Sequence, residues 1–442
     1  WQMSGSTKGT KHVEYEFGGP IGALATVVSL PIVIYSLFFL CTGEGQCLSV
    51  YPFQVPAIPN FAAIEFWNTN AFLITLGWLL WLTILHFIIP GKYVQGIKLE
   101  TGTSLTYKIN GFRSFLVTIA AVVILEYLAV IRLSFIFDHI VAFITSAIVI
   151  SLLLSVYLYI GSFQTKNGKK KILAKGGNTG NWIYDFFIGR ELNPRIGNFD
   201  LKVFCELRPG LIGWIVIDFA MAMHQLETYG SVSNGMVLVC FFQMWYVADA
   251  LWFEQSILTT MDVTTDGFGY MLAFGDLAWV PFTYSIQARY LASMPFFHWN
   301  LWVIVGIILL NILGYSAFRG ANSQKDQFRR DPNHPSVKHI KSISTQRGTR
   351  LMISGWWGIA RHINYVGDWI MAWSWCLPCG FDHIVPFFYV IYFAILLVHR
   401  DLRDEHSCRK KYGKDWDRYC SIVRYKFIPY IYQINETSAF RR

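Results

Sequence analysis

Several long apolar runs, each with few or no charged residues, constrain the fold of this chain more than any other feature. Runs of about 17–25 such residues have the length that an α-helix needs to cross a bilayer. Apolar residues make up 54% of the 442-residue chain and charged residues 15%, whereas soluble domains carry about 25% charge. A water-soluble core cannot accommodate this much apolar sequence, so the pattern predicts an all-α membrane protein with about ten transmembrane helices.

The ten predicted spans follow one another along the whole chain. They cover approximately residues 21–41, 71–90, 114–130, 139–161, 209–224, 235–252, 270–291, 297–318, 369–380 and 383–399. The seventh contains Gly275, Asp276 and Pro281, so we expect it to be broken or partly re-entrant and lined by protein. The ninth is short, and Pro378 and Gly380 predict a turn that joins it to the tenth.

Lysine and arginine fall almost entirely on one side of this layout. With both termini in the cytosol, the cytosolic segments carry 35 of the 37 Lys and Arg residues, and only Arg132 and Arg289 remain on the other side. Retained positive charge marks the cytoplasmic side of a membrane protein, so the net charge of +9 belongs to the cytosolic face. We expect this face to meet anionic lipid headgroups. Without a separate basic domain or a reader motif, no nucleic-acid partner is expected.

The same layout divides the chain into four regions. We predict a cytosolic N-terminal arm over 1–20, a four-helix membrane region over 21–161, a basic cytosolic loop over 162–208 and a C-terminal membrane region over 209–442. The chain lacks the GxGxxG spacing of a Rossmann phosphate-binding turn. A phosphate-bearing ligand would therefore have to be held by side chains.

Three polar clusters next to the C-terminal spans are candidates for holding such a ligand. Residues 321–329 continue the eighth span and place Lys325 and Arg329 four apart on one helical face. Two positive charges there suit a phosphate, although a basic helix end that meets headgroups would have the same pattern. Residues 355–365 are interpreted as a loop with aromatic and amide groups, and an interfacial aromatic belt would explain only its Trp pair. Residues 399–413 run straight out of the last span, and a solvated, ion-paired helix is the alternative there.

Ionisable residues within the predicted spans are the candidates for catalysis, because a charge inside the bilayer is costly. Tyr246 and Asp249 lie three apart in the sixth span and share a helical face. The acids that follow along the chain are Glu254, Asp262, Asp266 and Asp276. We expect a pocket with an excess of acids, in which a carboxyl can donate a proton or stabilise a transient cation.

The cysteines give weaker signals. Cys376 and Cys379 have CxxC spacing, but no partner CxxC or HxxxH lies nearby, so we expect no metal site. Cys41 and Cys47 are expected on the non-cytosolic side, where a disulfide would form if that side is oxidising.

Two long motifs, in this order, resemble the sterol reductase family. The first is GNWIYDFFIGRELNPR at residues 180–195, and the second runs over residues 399–413 from HRDLRDE to KYG. The likeness extends from residues 16–20 to 430–432, which is nearly the whole chain. Residues 258–276 resemble the delta-14 branch rather than the delta-7 enzymes, and residues 281–290 are similar to that branch too. The lamin B receptor shares this membrane portion but adds a long N-terminal region, so we expect the stand-alone delta-14 enzymes to be more similar.

The resemblance implies a bundle whose C-terminal half, residues 209–442, forms the catalytic pocket and holds NADPH from the cytosolic side. A sterol substrate would enter from the bilayer. Matched by motif, the implied NADPH contacts are Lys325, Arg329, Met352, Trp357, Asn364, Tyr365, Asp404, Cys408, Arg409, Lys410, Lys411, Tyr412 and Tyr419. Tyr246 matches the pocket tyrosine of the family, with Asp249 in support, and Asp404 is implied near the reactive end of the cofactor. Ile363 stands where relatives often have proline.

The reaction that the resemblance implies is reduction of the C14=C15 double bond of a sterol in the endoplasmic reticulum membrane. An isolated double bond is a poor hydride acceptor, so a proton is expected at C15 before hydride reaches C14. Three alternatives stay open. They are a delta-7 or C24(28) sterol reductase, a non-catalytic sterol-binding or scaffold protein, and a membrane methyltransferase that uses S-adenosylmethionine. The last is considered because residues 361–368 also look like the nucleotide loop of isoprenylcysteine methyltransferases.

Overall fold

The computed structural model describes residues 15–41, 46–49, 52–57, 59–99, 102–165 and 171–428. Residues 1–14 of the predicted arm, 166–170 of the predicted basic loop and 429–442 of the C-terminal region lie outside this part. The described residues form two compact units. Those of the first unit fall in the ranges Trp1–Leu48, Gln54–Val232 and Gln243–Pro295, and those of the second in Ser49–Phe53, Ser233–Phe242 and Phe296–Arg442. The four predicted regions are defined by membrane side, and they stay a prediction.

Long apolar helices joined by short elements make up the first unit. Its helices are α1 (Gly19–Phe39), α2 (Thr69–Ile88), α3 (Gly111–Tyr127), α4 (Phe135–Asp138), α5 (Ile140–Gly161), α6 (Trp182–Ile188), α7 (Leu201–Leu207) and α8 (Pro209–Tyr229). Helix α9 (Asn234–Trp252) belongs to this unit from Gln243 onward. Helices α10 (Glu254–Ile257), α11 (Met261–Thr264), α12 (Tyr270–Phe274), α13 (Val280–Tyr284) and α14 (Ile286–Ser293) follow. Two antiparallel hairpins pair β1 (Lys92–Gln95) with β2 (Thr106–Ile109) and β3 (Arg195–Ile196) with β4 (Phe199–Asp200).

Among the described residues, six helical segments are long and apolar enough to cross a membrane. They are Gly19–Phe39, Thr69–Ile88, Ile140–Gly161, Asn234–Trp252, Leu301–Arg330 and Val385–Tyr412. Each overlaps a span predicted from the sequence, because an uninterrupted apolar run leaves the backbone no partner in lipid except its own helix. The chain is therefore a mostly helical membrane protein with several spans.

The seventh predicted span is irregular, as its sequence indicates. Helix α12 ends at Phe274, a π-helical turn covers Gly275–Trp279, and α13 and α14 follow. Pro281 lies just after the π-helical turn, and because proline has no N–H and its ring clashes with the preceding turn, it favours such an irregularity. The prediction of a broken segment is confirmed.

The second unit is built on α15 (Leu301–Arg330), a single helix of 30 residues. It continues with β5 (Ser342–Ser344), β6 (Arg350–Met352), α16 (Trp356–Ile359), α17 (Ile363–Cys376), α18 (Phe388–Tyr412) and α19 (Lys414–Ile422). Strands β5 and β6 pair antiparallel. Helices α15 and α17 cross closely, since a Cβ at Gly314 would lie 2.8 Å from the Gly367 carbonyl oxygen. Glycine at the crossing allows the two backbones to approach.

The ninth predicted span is wrong at its start. Helix α17 begins at Ile363, not at residue 369, and ends at Cys376. The first turns of α17 contain polar residues, so the apolar run by which the span was predicted starts later than the helix does. The expected turn to the next helix is confirmed: a 3-10 turn over Leu377–Cys379 leads to Gly380, whose φ is 74°.

Cysteines and a cation mark the end of α1. Cys41 and Cys47 form a disulfide. One guanidinium nitrogen of Arg289 donates to the carbonyl oxygens of Phe38 at 3.1 Å and Cys41 at 2.7 Å. These carbonyls end a helix and carry its negative partial charge, so the cation is stabilised there. Cys376 and Cys379 are buried, and the Cys376 thiol donates to the Pro386 carbonyl at 3.3 Å. The described ranges contain no cluster of three or more potential metal ligands.

Candidate active site

The extension of α15 beyond its apolar part carries the first polar cluster. Arg329 is exposed, and Lys325 Nζ lies 4.0 Å from the centre of the Trp357 ring, a cation–π contact. The Trp357 indole N–H donates to the Ala321 carbonyl at 2.9 Å. The Trp357 side chain is thus hydrogen-bonded to α15, and its ring packs against Lys325 of the same helix.

The second cluster lies directly on α15, and it is not simply the loop that the sequence indicates. It contains the short helix α16 and the start of α17. The backbone N–H of Trp356 donates to Gln324 Oε1 at 3.1 Å, and the Asn364 amide donates to Asn322 Oδ1 at 3.1 Å. The Oδ1 atom of Asn364 is buried and accepts no hydrogen bond within the described part of the chain. An unsatisfied buried acceptor of this kind fits a ligand donor.

The third cluster, on α18, meets the other two. The Tyr365 hydroxyl donates to Asp404 Oδ2 at 3.2 Å. Lys325 interacts electrostatically with Asp404 and with Cys408. The structure therefore brings together residues from 321–329, 355–365 and 399–413, which the sequence alone suggested only by their common membrane side.

The residues named as cofactor contacts do not share one environment. Met352 and Trp357 are 8% and 5% exposed and belong to one apolar core, and Tyr419, 5% exposed, belongs to a second. Cys408 and Tyr412 are half-buried against that second core, whereas Arg409, Lys410 and Lys411 are exposed. Burial raises the pKa of Tyr419 above its usual range, so its hydroxyl stays protonated and can donate. Buried members support the cluster, and exposed cations surround it.

An acidic stripe on α18 was missed from the sequence. Glu405 accepts a hydrogen bond from Arg409 Nε at 2.9 Å and from the Trp416 indole at 2.8 Å, and one of its oxygens lies 3.3 Å from Arg361. Arg409, a predicted cofactor contact, is thus also part of an ion pair. The available signal was the spacing of Asp401 and Glu405, four apart on one helical face.

Tyr246 and Asp249 lie in the first unit, on the part of α9 that follows Gln243. Tyr246 is half-buried and Asp249 is 8% exposed. The Tyr246 ring centre lies 6.2 Å from that of Trp214, whose indole donates to Gln243 Oε1 at 2.8 Å. The Gln243 amide in turn donates to Gln287 at 3.1 Å. A series of buried polar side chains therefore lies beside the tyrosine.

The expected excess of acids in this region needs a correction. Glu254 pairs with Arg208 at 2.8 Å, and both side chains are 1% exposed. Lys202, 0% exposed, donates to the carbonyl oxygens of Asp262, Val263 and Asp266 at 2.5–3.2 Å. Arg208 therefore neutralises Glu254, and Lys202 interacts electrostatically with Asp262 and Asp266. Only the tertiary fold brings the two cations there.

The first signature motif has a structural role near these acids. Gly189 has φ 94°, and a Cβ there would lie 2.3 Å from the Gly269 nitrogen. A Cβ on Gly267 would lie 1.8 Å from the Gly189 carbonyl oxygen. Backbones cross here with no room for side chains, so the motif fixes the segment that leads to Tyr270 and α12.

An apolar cavity of about 130 Å³ also lies in the first unit. Its walls include Ile74 and Trp78 of α2, Phe143 of α5, Val216 of α8 and Phe282 of α13. The residues that line it do not include Tyr246 or Asp249. It is therefore a separate feature from the predicted proton donor.

Comparison with known proteins identifies the group to which this arrangement belongs. The model of the ergosterol biosynthesis ERG4/ERG24 family matches residues 11–432. The chain belongs to this family. Delta(14)-sterol reductase erg24 of Schizosaccharomyces pombe is 51% identical over 95% of this chain and 97% of that protein. Delta(14)-sterol reductase TM7SF2 of Mus musculus is 45% identical over 94% of this chain and 97% of that protein.

A longer relative shares the same membrane portion. Delta(14)-sterol reductase LBR of Gallus gallus is 48% identical over 95% of this chain, which spans 64% of that protein. The resemblance inferred from the two motifs is confirmed, including the similarity to the lamin B receptor. The motif at residues 180–195 and the motif on α18 therefore predicted the family of this chain correctly.

Proposed function

We propose that this chain is a delta(14)-sterol reductase that reduces the C14=C15 double bond of a sterol with NADPH as reductant. The observation that carries the proposal is the 51% identity to the Schizosaccharomyces pombe enzyme over nearly the full length of both chains. The other relatives compared, from Gallus gallus and Mus musculus, carry the same activity in their names.

The side chains of the second unit fit a phosphorylated nicotinamide cofactor. NADPH, when bound, would supply the hydride. The exposed Arg329, Lys410 and Lys411, together with the half-buried Lys325, would hold its phosphates, because cationic side chains bind phosphate oxygens by charge-assisted hydrogen bonds. The buried, unsatisfied Oδ1 of Asn364 would accept from a donor on the cofactor.

Proton delivery is the step that the chain itself must supply. Protonation at C15 leaves a tertiary cation at C14, which then accepts hydride. We assign proton delivery to Tyr246 with Asp249 in support, because the phenol lies on a helix long and apolar enough to cross the bilayer, beside buried polar side chains. Asp404 is assigned to the reactive end of the cofactor. In a site that excludes water, dipoles aimed at the cation stabilise it strongly and water cannot quench it.

We further propose ten spans with both termini in the cytosol of the endoplasmic reticulum membrane. Six segments already meet the length and hydropathy required. Helices α3, α8 and α17 and the interrupted segment 270–293 would provide the other four. The distribution of Lys and Arg supports this orientation, and the sterol would reach the protein through the lipid.

A product assay tests the proposal. Purified protein in lipid–detergent micelles is incubated with a delta-8,14 sterol and either NADPH or NADH, and the 14,15-saturated product is measured. We expect the wild-type protein to form product with NADPH. In Tyr246→Phe, kcat should fall about a hundred- to ten-thousandfold, the range of general acid catalysis. Cofactor binding should not change in that variant.

Other outcomes would favour the alternatives. Saturation only at the delta-7 or C24(28) bond would assign a different sterol reductase. Binding of S-adenosylmethionine in preference to NADPH would indicate a methyltransferase. Failure of the wild-type protein to saturate any of these sterol double bonds, while it still binds the sterol, would indicate a non-catalytic protein.

A further inference from the structure

The last described residues of the chain lie against the start of α17. The backbone N–H groups of Arg361 and His362 donate to the carbonyl oxygens of Tyr425 and Lys426, each at 2.9 Å. These consecutive bonds hold residues 425–427, here called the tail segment, beside the second polar cluster. The tail segment was not among the residues that the sequence suggested for the active site.

Lys426 carries the buried charge of the tail segment, with 2% of its surface exposed. Its Nζ lies 3.2 Å from Asp401 Oδ2 and 3.9 Å from Glu405 Oε2, on successive turns of α18. The Asp401 side chain is 1% exposed. A buried carboxylate is costly unless a cation pairs with it, so the lysine stabilises Asp401 in its place.

A continuous series of contacts leads from this ion pair to the proposed active site. Asp401 Oδ1 lies 3.0 Å from His362 Nε2. The His362 ring stacks on Tyr365 with centroids 4.8 Å apart and planes at 18°, and Phe427 of the tail segment contacts both rings. The Tyr365 hydroxyl donates to Asp404.

We propose that Lys426 is a positioning residue for cofactor binding. Lys426 fixes Asp401, and Asp401 orients His362. The imidazole then holds Tyr365 against Asp404. The inference rests on the proposed function, because it assigns the series of contacts a role only if a nicotinamide cofactor binds next to Asp404.

Variants of Lys426 test this role through cofactor affinity. Lys426→Met leaves Asp401 without its lysine, and the resulting displacement should raise the NADPH dissociation constant about ten- to a hundredfold, the size expected when one charge-assisted hydrogen bond to the cofactor is lost. The KM for sterol at saturating NADPH should not change. Lys426→Arg keeps the cation and should retain wild-type affinity. Lys338→Met, which removes an exposed lysine of the same unit, is the matched control.

A second variant separates positioning from folding. Asp401→Asn combined with Lys426→Met removes both buried charges, so it should fold even where the single variant does not. It should still bind NADPH weakly, because His362 has lost its carboxylate partner. Wild-type NADPH affinity in Lys426→Met or in the double variant would overturn the proposal, and so would failure of both of these proteins to fold. Failure of the wild-type protein itself to bind NADPH would instead refute the proposed function.

Discussion

Two buried cations of the first unit and three exposed cations of the second lie in opposite environments. In the first unit, Arg208 and Lys202 are 1% and 0% exposed, and each is satisfied by a carboxylate or by backbone carbonyls. In the second, Arg329, Lys410 and Lys411 are exposed around the three polar clusters. Burial therefore decides what a cation can do. A desolvated cation must pair with a nearby acceptor and so stabilises the packing of its elements, whereas a hydrated cation stays available to bind an anionic ligand.

The largest expected effect comes from the buried pair of the first unit. Glu254→Gln leaves Arg208 buried without its carboxylate and should lower the free energy of unfolding by about 3–5 kcal/mol. The Glu254 carboxylate also accepts from the Gly111 backbone at 2.7 Å, which adds to the loss. Denaturant unfolding of the purified protein in detergent measures it.

The double variant Arg208→Met with Glu254→Gln is the control, and it should recover most of the lost stability because no unpaired charge remains. A loss of less than about 1 kcal/mol in the single variant, the size expected of surface pairs, would remove the contrast between the two units.

The exposed cations of the second unit should affect binding rather than folding. Arg329→Ala should weaken NADPH binding about ten- to a hundredfold, since a hydrogen bond to a charged group contributes about 1.5–3 kcal/mol. If Arg329 holds the 2′-phosphate, NADH binding should be nearly unchanged. Arg330→Ala is the matched control, because Arg330 already pairs with Asp326 at 2.9 Å. Equal losses for NADPH and NADH would place Arg329 elsewhere on the cofactor.

The buried lysine predicts a pH dependence of stability. Burial, opposed by the nearby acids, lowers the pKa of Lys202 to about 8. Above that pH the unfolded chain binds a proton that the folded chain has lost, so the free energy of unfolding should rise, by about 1 kcal/mol between pH 8 and pH 9. Lys202→Met should lack this rise. Identical pH profiles for both proteins would show that the lysine does not titrate in this range.

The smallest effect is expected at an exposed pair. Asp326→Asn breaks the ion pair with Arg330. The Asp326 side chain is 54% exposed and the Arg330 side chain is 64% exposed. Such pairs contribute less than about 1 kcal/mol, and salt screens them. Unfolding measured at low and high salt should give nearly the same stability for the variant as for the wild type. A loss as large as that of Glu254→Gln would mean that burial is not the deciding variable.

The bounds of helices with an uninterrupted apolar run were predicted well from the sequence. The bounds of helices that contain both polar and apolar residues were not. Helix α5 lies at Ile140–Gly161, close to the predicted 139–161, because its apolar run is uninterrupted. Helix α17 starts earlier than predicted because Asn364 and Tyr365, polar residues in its first turn, donate hydrogen bonds to acceptors on α15 and α18. Motif and charge suggested Lys325 and Asp404 as site residues, and the structure places them close enough to interact. Lys426 was not suggested, since its partners become visible only when the chain returns to α18.

The sequence by itself determined which segments are long and apolar enough to cross a membrane and to which family the chain belongs, because composition, run length and motif are properties of neighbours along the chain. Only the tertiary structure decided which cations are buried and which stay exposed. Arg208 meets Glu254 across 46 positions and Lys202 meets the carbonyl of Asp262 across 60. Desolvation and Coulomb energy depend on distance and burial in space, and spacing along the chain specifies neither.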